Sequence, residues 1–151
     1  MIVDTSAVAQ GALTDANCRG SAEVLKWLHH KQGVLAYGGT KHLKEISHSS
    51  DQFRRLLRVL DRIGLARRLA PEDVDEEEAQ LIKSGACVSD DEHIVALASI
   101  AKCRLLWAID GRLRVDFKNR DLINNPQGQL FNSITTTQFH LKLLRPAGRK
   151  R

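Results

Sequence analysis

Residues 89–98 read SDDEHIVALA and residues 105–110 read LLWAID, and these two stretches decide the fold. Apolar residues recur at helical spacing from Ile94 onward, so the first stretch predicts a helix that buries one face. Asp91 lies one turn before Ile94 on that face, which directs its carboxylate toward whatever the face packs on. The apolar run of the second stretch predicts a strand buried on both sides. Asp110 follows that strand at the edge where open α/β sheets usually bind ligands.

The rest of the chain alternates short apolar runs with amphipathic helices. The predicted strands are residues 1–3, 34–37, 65–69 and 105–109, and the most regular helical stripe covers residues 51–63. This alternation predicts an α/β fold, a single α/β/α sandwich with a central, mainly parallel sheet. We assign residues 1–151 to one domain, with a core over about residues 1–120 and a C-terminal extension over residues 121–151. In the extension, three apolar residues fit either an edge strand or a helical turn: Phe139, Leu141 and Leu143.

The composition is that of a globular domain. The 151 residues are 42% hydrophobic and 27% charged, and this length is enough to bury a core. No apolar run has the length of a membrane span, and the N-terminal MIVD has no basic region before an apolar one. The three cysteines are widely spaced without a CxxC pair, which is typical of a reducing compartment. These features predict a cytoplasmic protein that does not contact a membrane.

The net charge of +5 indicates a polyanionic partner such as RNA. Three arginines lie along the far side of the helix predicted at residues 51–63, and they are candidate phosphate contacts: Arg54, Arg58 and Arg62. A solvated helix face explains the same arginines equally well.

Four acids are predicted to meet at one edge of the sheet. In a right-handed α/β fold, the carboxyl end of every strand and the start of every following helix lie on the same edge. Asp4 and Asp110 follow strands, Glu45 lies one turn into the helix after the second strand, and Asp91 begins a helix. Taken singly, each acid has a simpler explanation. Helix capping through Ser89 and Glu92 would account for Asp91, and solvent exposure would account for Glu45.

A cluster of carboxylates requires a counter-charge. Two carboxylates 4 Å apart repel by roughly 4 kcal/mol at an effective dielectric constant near 20. A divalent cation relieves this repulsion, and oxygen ligands without cysteine or histidine favour Mg²⁺ or Mn²⁺ over zinc. None of the six histidines has HExxH spacing or a cysteine partner, so we assign no histidine a metal role. Such a site is suited to phosphodiester hydrolysis, in which a water activated by the metal attacks phosphorus in line.

The order and spacing of these motifs resemble the PIN-domain family over roughly residues 1–120. The motifs are IVDTS at residues 2–6, Glu45, Asp91-x-x-Ile94-Val95-Ala96-x-Ala98, and an apolar strand leading into Asp110-x-x-Leu113. The resemblance implies an α/β/α sandwich with an acidic Mg²⁺ or Mn²⁺ site that hydrolyses RNA. Many small bacterial members are toxins whose antitoxin blocks the site.

Position by position, the resemblance assigns the metal and the catalysis to Asp4, Glu45 and Asp91, with Asp110 as the more variable fourth acid. Thr5 or Ser6 matches a hydroxyl beside the first acid. The family often has serine or threonine directly before the last acid, where this chain has Trp107-Ala108-Ile109. Two choices arise among the acids themselves. Asp116 is an alternative fourth acid, and Asp90 competes with Asp91 but points about 100° away from the Ile94 stripe.

Two hypotheses from different classes follow. The first is a Mg²⁺- or Mn²⁺-dependent endoribonuclease, whose predicted partners are RNA and, for a toxin, an antitoxin protein; a homodimer is left open. The second is a catalytically silent PIN-like module that binds RNA or protein. A phosphatase-like hydrolase is a weaker third hypothesis, because it needs a second aspartate two positions after Asp4, where this chain has Ser6.

Overall fold

The computed structural model of the chain describes residues 1–131 and 142–144. Within them the strands are β1 (Ile2–Val3), β2 (Leu35–Gly38), β3 (Ala66–Leu69), β4 (Leu105–Trp107) and β5 (Gln129–Phe131). The helices are α1 (Thr5–Ala9), α2 (Ser21–His29), α3 (Thr40–Ser47), α4 (Asp51–Arg62), α5 (Pro71–Ser84), α6 (Glu92–Ala101) and α7 (Gly111–Lys118). Phe139 and Leu141, for which the sequence left strand and helix open, lie outside the described residues.

The strands pair in parallel throughout the described sheet. β1, β4 and β5 form a three-stranded sheet with β4 in the middle, and β2 pairs with β3. Met1 joins these two groups of strands. Its amino group donates to the carbonyl of Val34 at 2.8 Å, and its carbonyl accepts from the N–H of Ala36 at 2.8 Å. The strands therefore follow one another in the order β3-β2-β1-β4-β5. The predicted parallel sheet is confirmed.

Helices cover both faces of the sheet, because neighbouring residues in a strand point to opposite sides. Val3 and Trp107 pack into one apolar cluster with residues of α1, α2 and α4. Ile2 and Leu106 pack into a second cluster with residues of α5, α6 and α7. The predicted α/β/α sandwich is confirmed, and its two cores meet at the sheet.

Some predicted boundaries differ from the structure. β4 ends at Trp107, two residues before the predicted end of the strand, and Ile109 is exposed. α6 begins at Glu92, with Asp91 in the N-cap position. β5 was not predicted, because its sequence of Gln129, Leu130 and Phe131 is too short to show a period. It pairs with β4 from within the stretch assigned to the C-terminal extension.

Two glycines set the turn from β2 into α3. The φ angle of Gly38 is +142°, and a side-chain Cβ there would lie 2.7 Å from the carbonyl oxygen of Leu69. Gly39 has a φ of +83°, and a Cβ there would approach Val74 to 2.6 Å. Only glycine fits both positions, so the chain turns sharply and starts α3 directly above the carboxyl end of β2.

Among the described residues, no helix combines the length and the apolar character that crossing a bilayer requires.

Candidate metal centre

The four predicted acids lie on the carboxyl edge of the sheet. Asp4 follows β1 directly, and Glu45 lies on α3 after β2. Asp91 precedes α6, and Asp110 precedes α7 after β4. Burial, together with the charges of Asp4, Asp110 and Glu45, raises the pKa of Asp91, and the neighbouring His93 acts against that rise. All four carboxylates are therefore close enough to interact.

Glu45, Asp91 and His93 form the tightest group on this edge. One potential ligand atom from each lies within 4.8 Å of the others, so the three side chains could hold a metal ion. His93 Nε2 lies 2.9 Å from Glu45 Oε2. Sequence reasoning had missed His93, to which it assigned no role at the metal. A polar side chain on the otherwise apolar face of α6, two residues after Asp91, was the signal that could have identified it.

Helix capping does not explain Asp91. It occupies the N-cap position of α6, yet its carboxylate makes no capping hydrogen bond. The expected partner for a capping box, Ser89, accepts from the N–H of Asp91 at 3.3 Å and donates its hydroxyl to Asp116 Oδ2 at 2.5 Å. Among the described residues the carboxylate of Asp91 makes no capping hydrogen bond, so it is available to bind another group. Asp90, the competing acid, is exposed, and its backbone carbonyl accepts a hydrogen bond from Lys41.

Opposing effects act on the carboxyl group of Glu45. Burial is the largest single effect and raises its pKa, but the hydrogen bond from His93 and the nearby His93, His42 and Lys41 together outweigh it. The net pKa is below the usual value for glutamate. Glu45 is therefore held as a carboxylate beside the other acids.

Asp4 is buried and held by its neighbour on α1. Its Oδ2 accepts hydrogen bonds from the backbone N–H of Ser6 at 3.1 Å and from the Ser6 hydroxyl. The same hydroxyl oxygen accepts from the N–H of Ile109 at 3.2 Å. Ser6 thus joins the first acid to the loop that carries Asp110. This link uses a backbone N–H, so it does not need a serine or threonine before the last acid.

Asp110 and Asp116 have different roles. Asp110 is exposed, and its Oδ1 accepts from the N–H groups of Arg112 at 2.9 Å and Leu113 at 3.0 Å, which caps α7. Asp116 is 1% exposed, and it accepts the N–H groups of Val88 and Ser89, each at 2.9 Å, and the Ser89 hydroxyl. Both oxygens of Asp116 are thus occupied in holding the loop before α6. Of the two acids, Asp110 is the candidate for the fourth position.

Two lysines line a groove beside one of the acids. A groove of about 940 Å³ runs beside Glu45 and is also lined by Thr5, Lys41 and Lys44. The predicted phosphate contacts line a separate groove with Tyr37 and Asp61: Arg54, Arg58 and Arg62. α3 contributes to both grooves, with Glu45 on one side and Ile46 on the other. The arginines predicted as phosphate contacts thus do not line the groove beside Glu45.

Arg54 is also engaged locally. Its guanidinium pairs with Asp51 and donates to the backbone carbonyl of Ser47. None of the four acids forms an ion pair with lysine or arginine in the part of the chain that the structure describes. The lysines and arginines of that part therefore do not neutralise the acids through ion pairs.

His42, on α3, makes the metal-free fold sensitive to acid. It is 1% exposed, and burial, aided by the neighbouring His93, lowers its pKa from 6.5 to about 4, against opposing effects of Glu45, Gly38 and Val3. Below pH 6.5 the unfolded chain binds a proton that the folded protein excludes. We expect the free energy of unfolding to fall between pH 6.5 and 4, by on the order of 3 kcal/mol through this residue.

Urea denaturation across this pH range measures the effect. His42→Asn retains an acceptor for the N–H of Gly38 and should be less stable at pH 7 but show a shallower pH dependence. His30→Gln, at an exposed position, is the control and should keep the wild-type slope. A His42→Asn protein with the full wild-type slope would contradict the assignment.

Comparisons with protein-family models, with curated proteins and with solved structures found no match to this chain.

Proposed function

We propose that the protein is a Mg²⁺- or Mn²⁺-dependent endoribonuclease. One observation carries the proposal. Potential ligand atoms of Glu45 and Asp91 lie within 4.8 Å of each other, and the charges of Asp4 and Asp110 help to raise the pKa of Asp91. Like charges in such a cluster repel unless a counter-charge is present. The described lysines and arginines do not supply it through ion pairs.

A hard divalent cation fits this donor set. Carboxylate oxygens are the ligands that Mg²⁺ and Mn²⁺ prefer, and the free carboxylate of Asp91 is available to one. When bound, the metal would activate a water molecule and stabilise the leaving oxygen of a phosphodiester. Glu45 and Asp91 would hold it directly. Asp4 is the third direct ligand of the proposal, and Asp110 would act through water or at a second metal.

The protein's own residues prepare this site. Ser6 fixes the carboxylate of Asp4 and ties it to the Ile109 backbone, so the first and last acids keep their spacing. The loop before α6 is held by Asp116, which places Asp91 at the mouth of the helix. The acids are thereby oriented before substrate binds, which reduces the cost of assembling the site during the reaction.

RNA is the proposed substrate because three observations agree. The motifs resemble the PIN-domain family, the net charge is +5, and Lys41 and Lys44 line the groove beside Glu45. Lysines in that position would contact the phosphates on either side of the bond to be cut. We also propose that Thr5, which lines the same groove, contacts the substrate. An antitoxin that covered this groove would block the site, which is how a role as a toxin would be controlled.

Cleavage of a fluorescent single-stranded RNA tests the proposal. We expect product with Mn²⁺ or Mg²⁺, none with EDTA, and recovery when the metal is restored. RNA binding that is insensitive to metal, with no product, would contradict the nuclease and favour the silent binding module.

The lysines should govern RNA affinity. Lys41→Ala combined with Lys44→Ala removes two phosphate contacts, and the slope of log K against log salt should fall by about 0.7 for each contact on single-stranded RNA. Binding is measured in EDTA so that no cleavage occurs. Arg58→Ala combined with Arg62→Ala removes the same amount of charge from α4, beside the separate groove. This pair should leave the slope of log K against log salt unchanged. A larger loss from the arginine pair would place the RNA surface on α4.

A further inference from the structure

Two buried histidines lie behind Glu45. His42 is 1% exposed and His93 is not exposed at all. Their ring centres are 6.4 Å apart, and the ring planes are inclined by 50°. Each ring has one nitrogen without a hydrogen bond of good geometry among the described residues: Nε2 of His42, although the Val3 backbone is near enough to raise the pKa of that ring, and Nδ1 of His93. Buried polar atoms are usually paired, so both rings need an explanation.

The partner of His42 determines which nitrogen carries its proton. The backbone N–H of Gly38, at the end of β2, donates to His42 Nδ1 at 3.3 Å. An N–H can only donate, so Nδ1 must be unprotonated and the proton of the neutral ring must be on Nε2. His42 therefore anchors α3 to the end of β2 in a single tautomer.

The partner of His93 determines its tautomer in the same way. Its Nε2 lies 2.9 Å from Glu45 Oε2, and a carboxylate only accepts, so Nε2 carries a proton. A second proton on Nδ1 would be a buried donor without an acceptor in the described chain, which is unfavourable. The contacts of His93 thus favour the tautomer with its proton on Nε2.

This tautomer limits what His93 can do at a metal. Nε2 faces Glu45, and it could bind a cation only if its proton moved to Nδ1. A histidine that binds a metal normally donates its other N–H to an acceptor, and Nδ1 of His93 has none among the described residues. Glu45, in contrast, uses only Oε2 for His93 in the described contacts. Its other oxygen is left for a cation.

We propose that His93, held as its Nε2–H tautomer against His42, is a positioning residue that orients Glu45 and does not bind the metal itself. The role of His93 at a metal ligand rests on the proposed function, which supplies the metal. The assignment of its tautomer does not depend on a metal. It assigns an all-oxygen ligand set to the cation and gives the two buried histidines one shared role. His42 fixes α3 to the sheet, and His93 fixes the carboxylate that α3 carries.

Long-range ¹H–¹⁵N NMR of the ¹⁵N-histidine-labelled, metal-free chain tests the tautomers. We expect both His42 and His93 to show a protonated Nε2 and an unprotonated Nδ1, with the signals assigned through His42→Asn and His93→Gln. A protonated Nδ1 on His93 would overturn the proposal.

Electron spin-echo modulation of bound Mn²⁺ tests the ligand set. We expect no coupling from a directly bound ¹⁴N. A ¹⁴N coupling that changes on ¹⁵N-histidine labelling and disappears in His93→Gln would overturn this inference while leaving a metal site in place. Absence of Mn²⁺ binding would overturn the proposed function and, with it, the role of His93 at a metal ligand.

Paired variants test the positioning role through Mn²⁺ affinity measured by calorimetry. His93→Leu removes the donor to Glu45 and should weaken affinity by about 10- to 100-fold, as loss of a group behind a metal ligand usually does. His93→Gln keeps an N–H near the position of Nε2 and should lose less than about tenfold. Circular dichroism verifies that both variants fold. Equal losses in the two folded variants would contradict the positioning role.

Discussion

Replacing Asp91 with asparagine should abolish metal-dependent RNA cleavage and leave the fold intact. The substitution removes one charged oxygen ligand from the cation. The bound cation is expected to supply several kcal/mol of transition-state stabilisation. Because about 1.4 kcal/mol corresponds to a tenfold change in rate, we expect a loss of at least about 100-fold. Single-turnover cleavage in Mn²⁺, with calorimetry of Mn²⁺ binding, measures it. Asp4→Asn should behave similarly, since asparagine is as good an N-cap for α1 as aspartate.

The stability of the same variant distinguishes a functional acid from a structural one. Burial and the neighbouring acids raise the pKa of Asp91, so its charge is unfavourable in the metal-free protein. The melting temperature of metal-free Asp91→Asn should therefore be equal to or above that of the wild type. Asp90→Asn removes the same charge from the exposed neighbour and should retain activity. Unchanged cleavage in both Asp4→Asn and Asp91→Asn would remove the assignment of the site.

Replacing Asp116 with asparagine should have the opposite outcome for stability. Three donors converge on its two buried oxygens, and an amide would direct its own N–H₂ group toward one or more of them. Hydrogen bonds to a buried charge contribute about 1.5–3 kcal/mol each, and an unpaired donor adds a further cost. We expect the free energy of unfolding to fall by about 3 kcal/mol or more.

Urea denaturation measures this loss. Asp121→Asn, at an exposed position three residues after α7, is the charge-matched control. The control should change stability by less than about 0.5 kcal/mol. An Asp116→Asn protein that was as stable as the wild type but inactive would contradict the structural role. It would return Asp116 to the list of candidate metal ligands.

The order of strands and helices explains why the position of the acids could be predicted. Asp4 and Asp110 follow apolar runs, and in a parallel sheet such positions share one edge whatever the details of packing. The period of the helix from Ile94 likewise identified Asp91 in preference to Asp90. These conclusions depend on the order of strands and helices and on the helical spacing of apolar residues. Both can be identified from the sequence.

The contacts that complete the site could not be predicted in the same way. His93 meets Glu45 across a gap of 48 residues. Asp116 was identified only as an alternative acid, because its partners at Val88 and Ser89 are set by how α7 packs against the loop before α6. The sequence correctly placed three arginines along one helix, α4. Which groove these arginines line depends on how α4 packs against α3. A single sequence gives no measure of any of these distances.

A crystal grown or soaked in Mn²⁺ tests the central claim most directly, because the anomalous signal of manganese locates the ion without assumptions about its ligands. The account predicts a peak between the carboxylates of Glu45 and Asp91, within reach of Asp4, which is lost in Asp91→Asn crystals treated in the same way. A structure in which Mn²⁺ binds elsewhere, or in which these acids point apart or pair with lysine or arginine, would contradict it.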